Sequence, residues 1–228
     1  MRPTLPTSST NSTTTARRLP DSRARRSAAV LAIAALVLLA LAGGATAQPG
    51  SKVRVTVIGD SVTASFNYVP AATRFLGKGL DLRSDAVVCR RLVAASCPFQ
   101  GSTPSTALQV VDSEGTLLGP VVVINVGYND WAAVYDVDRV MRALKGAGVK
   151  HVIWVTLREA GSNASIYAQS NARIRSAGKR WRGRLVIADW NDYSRGKPWF
   201  SSDGLHMSIT GADALAAFLR PYALRAAA

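Results

Sequence analysis

Short apolar runs alternate with helical patterns along this chain. Five such runs predict strands, over residues 53–58, 80–88, 121–126, 151–157 and 185–188. The third run is apolar on both faces except at Asn125, as in a central strand covered on both sides. Apolar spacing predicts helices after the first strand and over residues 134–147, 165–177 and 210–219, with an irregular loop over 90–105. This alternation predicts a parallel α/β sandwich.

Residues 1–47 predict a cleavable signal peptide. A segment rich in Ser, Thr and Arg precedes an apolar run over 28–42, and Ala45-Thr46-Ala47 offers the small residues of a cleavage site. A run of fifteen residues is shorter than the roughly 20 of a spanning helix, so an uncleaved membrane anchor is the less favoured alternative. An Arg25-Arg26 pair resembles a twin-arginine signal, but the small residues after it favour general secretion. We therefore expect an exported domain over residues 48–228.

Composition places the chain among globular proteins. Its 228 residues are 48% hydrophobic and 18% charged, which fits one domain and excludes collagen-like, coiled-coil and most disordered proteins. The net charge is +14, and residues 48–228 hold 22 basic and 13 acidic side chains, or +9. This charge favours anionic neighbours such as cell-envelope polymers or lipid headgroups, while nothing in the sequence supports a nucleic-acid partner.

Two cysteines, Cys89 and Cys97, lie in the part predicted to be exported. An oxidising compartment allows them to pair, so we predict a disulfide bond. Two buried free thiols are the alternative. A zinc site is disfavoured, because such sites need four ligands or three plus water and only His151 and His206 are available to join the cysteines. We expect no metal and no other cofactor.

In open parallel sheets, ligands bind beyond the carboxyl ends of the strands. Polar motifs follow the first and third predicted strands, and another precedes the last predicted helix. After the first strand, Gly59-Asp60-Ser61 places a hydroxyl at a strand-to-helix turn, which suits a nucleophilic serine facing backbone N–H groups and a helix dipole. The alternative role of Asp60 or Ser61 is to cap a helix.

The other two motifs offer complementary chemistry. Gly127 admits a close approach of the backbone, and Asn129 can donate a side-chain N–H to a developing oxyanion, although an ordinary Asn-Asp turn is the alternative. Asp203 precedes His206 by three residues, so its carboxylate can bind one ring nitrogen and leave the other free as a base. A surface turn with a solvated histidine is the alternative there.

The chain resembles the SGNH or GDSL hydrolases through GDSV at 59–62, GYND at 127–130 and DGLH at 203–206, over about residues 52–220. The resemblance implies a three-layer α/β/α sandwich with about five parallel strands. It also implies Ser61 as nucleophile, His206 as base and Asp203 as its orienting partner, with no metal.

One landmark of this family is missing here. A glycine after the second strand completes the oxyanion hole with its backbone N–H, but this chain has Val88-Cys89-Arg90 at that place. Because any residue except proline has a backbone N–H, we assign Cys89 as a donor beside Ser61 and Asn129. Trp131 and Trp199 either line the pocket or pack in the core.

The expected function is that of a monomeric, secreted serine esterase acting on small or glycan esters with short acyl or acetyl groups. The chain has no insertion long enough to form a lid, which disfavours long-chain triglycerides. A cell-envelope O-acetyltransferase with the same triad is the first alternative. A non-catalytic wall-binding module that uses the positive charge and exposed tryptophans is the second, and the retained polar residues argue against it.

Overall fold

The computed structural model describes residues 51–228. The predicted signal peptide and its cleavage site lie outside the described residues. Within the described range, no helix is both long and apolar enough to cross a membrane.

A sheet of five parallel strands forms the centre of the domain, in the order β2-β1-β3-β4-β5. The strands are β1 (Arg54–Gly59), β2 (Asp81–Ala86), β3 (Val121–Asn125), β4 (His151–Val155) and β5 (Leu185–Ala188). All five predicted strands are confirmed. Gly59 pairs with Asn125 across β1 and β3, so these neighbouring strands end at the same level. The residues that follow them therefore meet at one edge of the sheet.

Helices cover both faces of this sheet. They are α1 (Ser65–Tyr68), α2 (Pro70–Gly77), α3 (Ala107–Glu114), α4 (Val137–Gly146), α5 (Ala164–Arg180), α6 (Trp190–Tyr193) and α7 (Ile209–Ala227), with 3-10 turns at Gly115–Leu118 and Ala132–Val134. The arrangement is the three-layer α/β/α sandwich that the resemblance implied.

Two apolar cores separate the layers, because successive side chains of a strand point to opposite faces. Val121 and Val123 of β3 face one core, which contains buried residues of α2 and α7. Val122 and Ile124 face the other core, which contains buried residues of α3, α4 and α5. The central strand is thus buried on both sides, as its sequence predicted.

Three helices differ from the prediction. Helices α3 and α6 fall in regions where the sequence predicted none, and α3 begins with a capping box between Thr106 and Gln109. The last helix continues beyond its predicted end at 219, through Pro221, to Ala227. Packing compensates for the proline there, because Ala223 is fully buried and the Arg220 side chain donates hydrogen bonds to carbonyls at the end of α2.

Candidate active site

Ser61 lies on the turn that directly follows β1. A Cβ atom added to Gly59 would lie 2.3 Å from the Cβ of Thr63, so the tight fold of this turn requires glycine. Neither Asp60 nor Ser61 caps a helix, which was their alternative role, because residues 61–64 form turns and α1 begins at Ser65. Pro70 disfavours helical geometry at the preceding residue, which separates the four-residue α1 from α2.

His206 lies between Ser61 and Asp203. Its Nε2 atom is 3.0 Å from Ser61 Oγ, and its Nδ1 atom is 2.5 Å from Asp203 Oδ2. The two ring nitrogens therefore contact a hydroxyl on one side and a carboxylate on the other. This arrangement allows the carboxylate to hold the tautomer in which Nε2 is free to accept a proton.

The carboxylate of Asp203 is fixed by its own turn. Its Oδ1 atom accepts hydrogen bonds from the backbone N–H groups of Leu205 and His206, at 2.8 and 3.0 Å, and from the Ser201 hydroxyl. Partial burial acts to raise the pKa of Asp203, but the hydrogen bond from the His206 ring and those from the two backbone amides lower it to about 2. Asp203 is therefore ionised at neutral pH.

Asp60 connects the turn after β1 to the turn after β3. Its side chain is fully buried and accepts hydrogen bonds from the backbone N–H groups of Val62, Gly127 and Tyr128, at 3.1, 2.9 and 3.0 Å. Burial raises the pKa of Asp60 to about 6 against the opposing effect of these three hydrogen bonds. The role of Asp60 is to join the segment carrying Ser61 to the segment carrying Asn129.

Asn129 lies on the turn after β3, beside the residues that Asp60 holds. At Gly127 the backbone has φ +152°, and an added Cβ atom would lie 2.7 Å from the Leu157 side chain, so glycine is required. One N–H of the Asn129 amide donates to the carbonyl of Arg90 at 3.2 Å. A primary amide has two N–H donors, which leaves the second one for a ligand.

Cys89 and Cys97 form a disulfide bond, as predicted. Cys89 lies in a turn with φ +69°, the left-handed region that favours glycine. The resemblance to the SGNH/GDSL hydrolases implied a glycine at this position. Val87 N–H donates to Gly59 O, which places this turn beside the end of β1. Within the described part of the chain, the backbone N–H groups of Ser61 and Cys89 have no acceptor. Neither group is therefore used in a hydrogen bond within this part of the chain.

Two arginines that sequence reasoning did not select hold the loop of Cys89. The Arg90 side chain is 3% exposed and donates to the carbonyls of Asp85 and Ser105. Arg91 donates from Nε to the carbonyl of Asn129 at 2.8 Å, which ties the loop to the turn after β3.

The two tryptophans have different environments. Trp131 is 56% exposed, and the Arg91 guanidinium lies over its ring at 4.0 Å from the centroid. Trp199 is half-buried and stacks on the buried Trp190 with centroids 5.7 Å apart, so it packs in an aromatic cluster. Trp131 is thus the tryptophan that lies open beside Asn129.

Arg158, which follows β4, contacts the segment that carries Asp203 and His206. Its Nε donates to the carbonyl of Gly204 at 2.7 Å, and its Nη1 donates to the carbonyl of Ser194 at 2.9 Å. Its guanidinium also lies 4.1 Å from the centroid of the Phe200 ring. Arg158 therefore holds the turn that carries Asp203 and His206 to the end of β4, and the sequence analysis did not find it.

The sheet order and the place of these residues after its strands give the chain the fold of the SGNH/GDSL hydrolases, which confirms the predicted resemblance at the level of the fold. The chain is similar to the C-terminal catalytic domain of peptidoglycan O-acetyltransferase A from Streptococcus pneumoniae. The identity is 23% and the TM-score 0.58, over 78% of this chain and 96% of that one.

Two further solved structures are similar to the chain. The psychrotrophic esterase EstA from Pseudoalteromonas sp. is 14% identical, with a TM-score of 0.52 over 76% of this chain and 95% of that one. TesA is 15% identical, with a TM-score of 0.52 over 76% of this chain and 99% of that one. Comparison with protein-family models and with curated proteins gives no match.

Proposed function

We propose that this protein is a secreted serine esterase that hydrolyses short acyl or acetyl esters. The observation that carries the proposal is the continuous chain of contacts from Ser61 Oγ through His206 to Asp203, at 3.0 and 2.5 Å. The similarity in fold to solved esterases supports it.

In the first step, Ser61 Oγ attacks the ester carbonyl carbon while His206 Nε2 accepts the hydroxyl proton. The carbonyl electron pair moves to the oxygen and gives a tetrahedral oxyanion. Asp203 stabilises the imidazolium through Nδ1. When the intermediate collapses, the carbon–oxygen bond to the alcohol breaks, the proton on His206 passes to the alcohol, and an acyl-Ser61 ester remains.

The oxyanion needs donors that point at it before the reaction begins. The backbone N–H groups of Ser61 and Cys89 and the second N–H of the Asn129 amide are the donors we assign to it. In the second step, His206 accepts a proton from water as the water oxygen attacks the acyl carbon. The bond from that carbon to Ser61 Oγ then breaks, His206 returns the proton to Ser61 Oγ, and the acid is released.

The candidate site is exposed to solvent, which supports a substrate ester that joins a small acyl group to a bulky or polymeric alcohol. The side chains of His206 and Asp203 are 48% and 45% exposed, so the alcohol part of an ester can extend into solvent. Acetylated glycans and small esters are therefore the substrates we assign.

An O-acetyltransferase is the second candidate, and the similarity to the pneumococcal O-acetyltransferase domain favours it. A glycan hydroxyl would then replace water in the second step, with the same Ser61 ester as intermediate. A chromogenic acetate ester assayed with and without a glycan acceptor separates the two functions. Free acetate as sole product supports hydrolysis, whereas acetylated glycan supports transfer.

Substitution of the triad tests the proposal directly. Ser61→Ala and His206→Ala should each lower the turnover of the chromogenic ester by several orders of magnitude, because removing one member disables the whole proton relay. His151→Ala is the matched control, since His151 is exposed at the start of β4, at the opposite end of the strands. Activity near the parent level in either triad variant would refute the assignment.

Secretion is tested on the unprocessed chain. We assign residues 1–47 as the signal peptide, and the disulfide between Cys89 and Cys97 is compatible with an oxidising compartment. The intact mass of the exported protein should correspond to a chain that starts at Gln48. An intact N-terminus on membrane-bound protein would favour the anchor instead.

A further inference from the structure

The excess positive charge of the domain is confined to one segment. Residues 136–188 contain eleven basic and three acidic side chains, a net charge of +8. The rest of the chain from residue 51 onward contains eleven basic and ten acidic side chains. The basic character is therefore local and does not extend over the whole surface.

This segment contains α4 and α5, which are neighbours on the same face of the sheet. Asp138 of α4 accepts hydrogen bonds from Arg180 and Trp181 at the end of α5, which joins the two helices. Their outer surfaces form the side of the domain, whereas Ser61 lies beyond the carboxyl end of β1.

Six exposed basic side chains on these two helices and in the turn after α5 form no ion pair within the described part of the chain. We call them the α4–α5 cationic surface: Arg139, Arg142, Lys145, Arg173, Lys179 and Arg182. Those on α4 are three residues apart, which spaces them over about 9 Å along one side of the helix.

The acidic side chains of the segment are already engaged. Asp136 caps α4, Asp138 pairs with Arg180, and Glu159 accepts a hydrogen bond from Asn171. The cationic surface is therefore left with little local compensation, and it favours an anionic ligand.

The composition of the surface indicates which anion fits. Val186 is the only exposed large hydrophobic side chain in residues 136–188, and no Phe, Tyr or Trp ring there is exposed. Single-stranded nucleic acids gain affinity by stacking bases on aromatic rings, and amphipathic membrane anchors insert large apolar side chains. Four of the six cations are arginines, whose planar fork matches phosphate oxygens.

We propose that the α4–α5 cationic surface binds a flexible anionic polymer with a phosphodiester backbone, which holds the protein on the polymer and leaves Ser61 accessible. The inference stands independently of the esterase assignment, because none of the six residues belongs to the candidate active site.

The test measures binding of the purified protein to poly(glycerol phosphate) at several salt concentrations. One triple variant removes the charges of α4: Arg139→Gln, Arg142→Gln and Lys145→Gln. The matched control removes three exposed charges elsewhere and changes the net charge equally: Lys52→Gln, Arg74→Gln and Lys78→Gln. Turnover of a soluble ester is measured in parallel.

Salt dependence gives the expected size of the effect. With six contacts, the parent's affinity should fall about 300-fold from about 50 to about 200 mM salt, on the slope known for flexible single-stranded phosphodiesters. The α4 triple variant keeps three contacts, so its affinity should fall only about 20-fold over the same salt range. At low salt it should bind more weakly than the parent. The control variant should behave as the parent does.

Three results would overturn the inference. These are no binding at low salt, equal weakening in both triple variants, and tighter binding to an RNA homopolymer or to anionic phospholipid vesicles than to poly(glycerol phosphate). If the unmodified protein shows no ester turnover, the proposed function is refuted, but the binding result is not affected.

Discussion

Arg158→Ala should impair catalysis although Arg158 contacts neither Ser61 nor the ring of His206 in the structure. The substitution removes the donor to the Gly204 carbonyl, which lies in the turn between Asp203 and His206. It also removes the donor to the carbonyl of Ser194, a residue that is fully buried. The turn of the catalytic pair should therefore lose its attachment to the end of β4.

The magnitude follows from these contacts. A hydrogen bond from a charged donor contributes about 1.5 to 3 kcal/mol, so loss of the bonds to Gly204 and Ser194 should weaken the turn by about 3 kcal/mol or more. The cation–π contact with Phe200 adds about 1 kcal/mol. Because a displacement of about 1 Å can cost a hundredfold in rate, kcat should fall by about that factor while KM changes little.

The assay is the measurement of kcat and KM on a chromogenic acetate ester, together with urea unfolding and the low-field proton signal of the His206 Nδ1–H. Arg158→Lys should restore part of kcat, since a single ammonium group can reach one of the two carbonyls. Arg175→Ala is the control, because its ion pair with Asp189 is half exposed and contributes under about 1 kcal/mol. A kcat within twofold of the parent in Arg158→Ala, with an unchanged proton signal, would refute a positioning role.

Three further predictions concern the oxyanion donors and the buried carboxylate. Asn129→Ala should lower kcat about a hundredfold with little change in KM, from steady-state kinetics, and an effect on KM alone would reassign Asn129 to substrate binding. Reduction of the Cys89–Cys97 bond should lower both Tm and kcat, and a fall in Tm alone would mean that the second backbone donor lies elsewhere. Burial raises the pKa of Asp60 from 3.8 to about 6, so its protonated form stabilises the fold fully below about pH 4, and this stabilisation is lost as the pH rises through 6. Asp60→Asn lacks this loss, so urea unfolding should show its stability relative to the parent rising by about 2.5 kcal/mol between about pH 4 and 7.5, whereas parallel pH curves would contradict the raised pKa.

The sheet was predictable because buried parallel strands have a simple signature. The β-branched run before Gly59 and the apolar run at 121–126 each contain a strand whose bounds agree to within a residue. Helix α3 was not predictable in this way, because it has only eight residues and depends on the Thr106–Gln109 capping box and on packing. Pro70 explains why α1 and α2 are separate helices. The start of α1 at Ser65 depends on the turn over residues 61–64, which the sequence pattern does not locate.

The site was predictable where chemistry depends on residue type. A nucleophile, a base and its carboxylate must be Ser, His and Asp or similar side chains, so motifs identified Ser61, Asp203 and His206 as candidates. Arg158 has no such signal, because its acceptors are the carbonyls of Gly204 and Ser194, which lie 46 and 36 residues away. Any residue offers a backbone carbonyl, and a sequence pattern therefore cannot mark it as a partner.

Cys89 stands where the SGNH/GDSL hydrolases carry a glycine, and two opposing energies account for a cysteine there. A non-glycine residue in the left-handed region costs about 1 to 2 kcal/mol, and Cys89 has φ +69°. A disulfide that closes the short loop to Cys97 stabilises the folded chain by about 2.5 kcal/mol on the chain-entropy model. The bond is therefore large enough to offset the strained backbone. A different side chain at this position, without the bond, would leave that strain uncompensated at the N–H group we assign to the oxyanion.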